Sequence, residues 1–104
     1  MPVSEVVWSQ TARADLLAIY VSVGRHHEQA AERLFSRMEW RAAQLADQPR
    51  LGQRRRDIAP STRVLVEAPY LILYETHPDT DDGPVATVEI VSVLDGRRDV
   101  IAVP

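Results

Sequence analysis

The residues best equipped for chemistry in this sequence are its arginines. All twelve basic residues are Arg and none is Lys. Each cation is therefore a planar guanidinium with five donors, matched to carboxylate or phosphate and unable to do lysine-dependent chemistry. Eight of the twelve lie between positions 33 and 63, against only Glu39, Asp47 and Asp57, a local charge of +5. Elsewhere four arginines face twelve acids, so the formal net charge of −3 conceals a basic middle. Like charges this dense repel one another and persist most comfortably opposite an anionic partner, either phosphate or an acidic peptide.

Three groups of arginines stand out. Arg33, Arg37, Trp40, Arg41 and Gln44 fall on one helical face, opposite an apolar stripe. Arg and Trp are enriched at interface hot spots, which makes this face a docking candidate; the competing reading is a solvated face with Trp40 folded against aliphatic stems. Arg54, Arg55 and Arg56, flanked by Arg50 and Arg63, form a run on a loop beside the central strands. Its competing reading is a solvated loop screened by salt. Arg97 and Arg98 follow the last long strand and are expected to converge on the same region.

Other chemistry finds less support. With no Cys and no His-x₃-His pair, neither a thiolate nor a metal site is expected. His26 and His27 are adjacent and point in different directions, and spacing pairs no serine with a histidine. The four glycines form no phosphate-cradling loop. His77 or Glu75 near arginines would suit acid–base work on RNA, but both read more simply as turn and surface residues. No catalytic residue and no cofactor is expected.

The elements that must position these arginines follow from pattern. A strand is predicted over 3–8 and a helix over 10–24, with Ser9 as N-cap, Asp15 near its positive end and Gly24 as its stop. The stripe Ala31, Leu34, Phe35, Met38, Ala42 and Leu45 predicts a second helix over 28–47, and so short a connection makes the two an antiparallel hairpin. Leu34 and Leu45 are both expected in the core. Residues 48–61 read as irregular, followed by strands over 62–67, 70–76 and 86–94, with turns at Ala68 and Pro69, at 77–84, and at Asp95 and Gly96. The tail at 100–103 reads as an edge strand or a loose extension. The order β-α-α-β-β-β implies an α+β fold, a helical hairpin packed on a mostly antiparallel sheet. At 104 residues one domain is expected, and neither a membrane span nor a signal peptide is apparent.

Taken in order, these segments resemble the ParE toxins of the RelE/ParE superfamily, over nearly the whole chain. The resemblance is carried by Trp8, Ser9, Ala12 and residues 15–20 at the first helix, and by Leu45, Pro49, Leu51, Gly52 and residues 56–58 after the second. Residues 63–66 with 70–74, and residues 91–99, complete it. It implies a RelE/ParE-like toxin domain over residues 1–104 of a bacterial cytoplasmic toxin–antitoxin pair. Its partners would be a ParD-like antitoxin, which holds it inactive, and DNA gyrase as the target. It further implies no membrane association and no sequence-specific DNA binding by this chain alone. The arginines above, with Trp40, would then bind antitoxin or target. The ribonuclease branch of the superfamily is the alternative, a ribosome-dependent mRNA endoribonuclease. That branch relies on Lys, Arg, His or Tyr clusters near the last strands; here Lys is absent, the C-terminal segment offers Arg97 and Arg98 without His or Tyr, and Asp95 stands where a His is often found.

Overall fold

A computed structural model describes residues 3–97. In chain order it contains β1 (Glu5–Trp8), α1 (Gln10–Gly24), α2 (Glu28–Ala43), one 3₁₀ turn (Gln44–Ala46), β2 (Gln53–Arg54), β3 (Arg63–Glu67), β4 (Tyr70–His77) and β5 (Thr87–Asp95). The strands form one sheet in the order β1-β5-β4-β3-β2. Only β1 against β5 is parallel; the other pairs are antiparallel. This is the expected α+β arrangement, with one strand added.

Ser9 caps α1 as its sequence suggests: its Oγ accepts from Ala12 N at 3.0 Å and donates to Val91 O at 3.1 Å, tying the helix start to β5. Asp15 plays a different part from the one expected. It lies beyond the first turn, and its Oδ2 accepts from Ser92 Oγ at 2.8 Å and Val93 N at 2.9 Å. That link forms where the register shifts: Leu73 faces Ser92 while Tyr74 faces Ile90, so Val91 is an extra residue in β5. A bulge leaves its extra residue out of the ladder, and Val91 O takes the Ser9 hydroxyl while Asp15 binds Val93 N, two residues further along the strand.

The second helix tightens before its expected end. The α-helix stops at Ala43, and the 3₁₀ turn carries the chain to Ala46 rather than 47. Such a turn satisfies carbonyls that an α-helix end leaves without partners, and Ala46 O accepts from Ser4 N at 2.9 Å. Of the predicted stripe, Ala31, Met38, Ala42 and Leu45 are buried, whereas Leu34 and Phe35 are half-buried and pack against the core from its rim. Tyr20 meets Phe35 edge to face at 5.6 Å between ring centroids, joining the helices.

The helices cover one face of the sheet. Ala12, Leu16, Met38, Ala42 and Leu45 pack with Leu65, Tyr70, Ile72, Tyr74, Val88, Ile90 and Val93. Strand alternation turns Val66, Leu71, Leu94, Glu75, His77 and Glu89 to the opposite face. The irregular segment predicted at 48–61 contains β2, in which Gln53 pairs with Val64 and Arg54 with Arg63. Strand ends otherwise move by one or two residues, and the predicted tail strand at 100–103 lies outside the described residues. No helix among the described residues is long and apolar enough to cross a membrane.

Candidate interaction surface

The predicted arginines gather at two ends of the sheet. At the first end, β2 and β3 set Arg54 beside Arg63, and the β4–β5 loop lies over them. Arg54 grips Asp79 with both terminal nitrogens, Nη2 to Oδ1 at 2.9 Å and Nη1 to Oδ2 at 3.2 Å. Its Nη2 also reaches Asp81 Oδ1 at 3.3 Å. Arg63 is 8% exposed, unusual for a cation. Its Nη1 donates to Gly52 O at 3.0 Å, its Nη2 lies 3.9 Å from Asp81, and its Nε is buried without a partner. Arg50 holds the same loop by its main chain, through Thr80 O at 2.9 Å and Gly83 O at 3.0 Å.

These contacts leave an electrostatic signature. The hydrogen bond from Arg54 holds Asp79 below the ordinary carboxylate range against the opposing effect of desolvation, with the fields of Arg54, Arg63 and Arg56 adding to it. Arg54 is pushed up in turn, first by that same bond. Since the folded Asp79 titrates low, its hold on the loop is fully present above the unfolded carboxylate pKa. That hold is lost as pH falls through the depressed folded value. Arg55 is occupied separately, bidentate to Asp57 at 2.8 and 2.6 Å. Arg56 makes no hydrogen bond among the described residues.

The second end lies where β3 turns into β4. Glu67, Tyr70 and Asp95 follow one another across β3, β4 and β5. Glu67 accepts Arg37 and Arg41 from α2, each at 3.3 Å. Arg41 also donates to Gln44 Oε1 at 2.9 Å, so the predicted helical face does form, and the neighbouring strand supplies its acid. Trp40 is 62% exposed and Arg33 has no partner among the described residues. Trp40 is thus not folded away against its neighbours. Arg97 pairs bidentately with Asp95. With Tyr70 it lines a shallow cleft that also takes in Ser22, His26 and His27.

Arg97 therefore does not converge on Arg54 and Arg63 as its sequence position suggested. On β4, Tyr70 pairs with Asp95, which holds Arg97, and Tyr74 pairs with Arg63; the two tyrosines are four residues apart, about 13 Å of strand. Arg98 lies outside the described residues. Sequence reasoning missed Asp79, Asp81 and Glu67 as members of these clusters, because each comes from another element. It also missed a metal-type grouping: ligand atoms of Glu75, His77 and Glu89 lie within 4.8 Å of one another on the sheet face opposite the helices. His77 Nε2 contacts Glu89 Oε1 at 3.2 Å, and Ser61 Oγ donates to Glu75. No spacing rule reveals it, since Glu89 reaches Glu75 only by strand pairing.

Trp40→Ala is expected to change the melting temperature little, since exposed substitutions usually fall within about 0.5 kcal/mol. Thermal melting checks this; a loss several times larger would place the indole in the fold after all.

Comparison with known proteins gives the chain its relatives. A family described as "ParE toxin of type II toxin-antitoxin system, parDE" matches residues 6–100. Among solved structures, a chain of the "Chromosomal ParDE TA system from P. aeruginosa" is similar in fold, with a TM-score of 0.69 and 20% sequence identity. That match covers 88% of this chain and 94% of the other. No curated protein matches the sequence.

Proposed function

The chain belongs to the ParE toxin family of type II toxin–antitoxin systems, and from that premise we propose that it inhibits DNA gyrase by direct binding and is held inactive by a ParD-like antitoxin. The single observation that carries this reading is the family match over residues 6–100. A fold shared with a chain of a ParDE system supports the antitoxin half. The chemistry agrees with an acidic partner: Arg37, Arg41, Arg54, Arg55 and Arg97 each already hold a carboxylate within the chain. These groups, with Arg33, Arg56, Arg63 and the exposed Trp40, form the binding surface in this reading.

A cytoplasmic, non-enzymatic protein follows from the same reading. In a supercoiling assay, the purified chain at saturation is expected to block gyrase, and prior addition of the antitoxin encoded beside it is expected to restore activity. Unimpaired supercoiling would remove gyrase as the target.

One observation favours the ribonuclease reading. The cleft at the second end brings His26, His27, Tyr70 and Arg97 together, which are residue types able to move protons and hold phosphate. Against it, the Arg97 guanidinium is already engaged by Asp95 at 3.1 and 2.9 Å. Primer extension on cellular messages after induction separates the two, with intact transcripts expected.

A further inference from the structure

The β4–β5 loop, residues 78–84, has little to hold it except arginines. Asp79, Thr80, Asp81, Asp82, Gly83 and Pro84 are all exposed, so the loop contributes no apolar anchor until Val85 is reached. Exposed ion pairs contribute little to stability and are weakened by salt. Beneath the loop, however, lies a built site. The Arg54 side chain is 15% exposed and that of Arg63 is 9% exposed. One guanidinium nitrogen of Arg63 is buried with nothing to donate to. Buried donors of this kind ordinarily find an acceptor, and the loop supplies too few.

We propose that Arg50, Arg54 and Arg63 form a binding site for an acidic peptide segment of a partner protein, and that residues 78–84 fill this site in cis. The manner of filling defines the ligand class. Arg54 takes two carboxylates spaced Asp-x-Asp, from Asp79 and Asp81. Arg50 takes main-chain carbonyls of Thr80 and Gly83. Carboxylates at that spacing on a turned backbone, with Arg50 reading main-chain carbonyls and the Thr80 hydroxyl between them, are the pattern of a peptide. A partner's segment must displace the loop, so its apparent affinity is reduced by the fraction of molecules in which the loop is open. In naming the antitoxin as source of such a segment, the inference rests on the function proposed above; the site itself does not.

The test uses the full chain and a fluorescently labelled peptide copying residues 78–84, followed by anisotropy. Asp79→Asn with Asp81→Asn should empty the site of its own carboxylates, and this double variant is expected to bind the peptide about tenfold tighter or more than the parent chain. Gly83→Val is expected to act in the same direction. It strains a turn at φ 84° in open space while leaving every charge in place. Adding Arg54→Ala to either variant should abolish binding, and salt should weaken it. Circular dichroism and melting confirm that each variant is folded. Equal affinity in parent and variants, no binding at millimolar peptide, or binding that survives Arg54→Ala would each overturn the proposal. So would preference for an oligoribonucleotide of equal charge. Because anisotropy reads the isolated chain, its result is independent of the supercoiling assay.

Discussion

Leu45→Ala is expected to lower the free energy of unfolding by about 2–5 kcal/mol, a large share of the roughly 5–15 kcal/mol that holds a domain together. Leu45 is 0% exposed and sits in the 3₁₀ turn, where it joins Met38 and Ala42 in the core beneath the sheet. Truncation removes buried methyl groups and leaves a cavity, and neighbours from both layers limit how far the site collapses. Leu34, from the same predicted stripe, supplies the control. It is only half-buried, so Leu34→Ala is expected to fall clearly below Leu45→Ala. Denaturant titration reads both: a lower midpoint with an unchanged slope reports stability alone. If the two losses are equal, or Leu34 is the more costly, the layer assignment fails.

That contrast also marks where sequence reading stops. The helical stripe was legible because 3.6-residue periodicity survives in one dimension, but it cannot rank Leu34 below Leu45. Their difference arises from which part of the helix lies over the sheet. Strands β3, β4 and β5 were legible from β-branched and aromatic runs. β2 was not: two polar residues, Gln53 and Arg54, become a strand only because Val64 and Arg63 lie alongside. Asp15 looked like a dipole partner, and its bond to Val93 N spans 78 positions of sequence. Such links have no local trace.

The arginines teach the same lesson in charge. Reading along the chain, residues 33–63 carry +5 and demand an external anion. In space, Glu67 reaches back to Arg37 and Arg41, and Asp79 and Asp81 reach back to Arg54. The acids lie just downstream of the basic stretch, and strand pairing returns them to it. Counting charges by segment thus locates the basic stretch, but not that the chain supplies anions to several of its arginines itself. An anionic partner at these guanidinium groups would have to displace the chain's own carboxylates.

Gly52→Ala is expected to be the second large perturbation, and its cause is crowding. A Cβ at Gly52 would lie 2.6 Å from Val64 O and 2.8 Å from Tyr74 Cε1. Neither can retreat cheaply, since one is strand backbone and the other belongs to a fully buried ring. Overpacking of this kind costs about 1–3 kcal/mol. Two buried hydrogen bonds meet at the same residue: Gly52 N donates to Tyr74 Oη at 2.8 Å, and Gly52 O accepts from Arg63 Nη1 at 3.0 Å. Loss of either leaves a buried polar group without its partner, at about 1–3 kcal/mol. Tyr74→Phe separates the contributions, because it removes the hydroxyl, and with it the bond from Gly52 N, without placing a new atom against Val64 O or the ring. A smaller loss in Tyr74→Phe than in Gly52→Ala is expected. If Gly52→Ala melts with the parent chain, the close approach is not there, and the pin that fixes Arg63 beneath the β4–β5 loop goes with it.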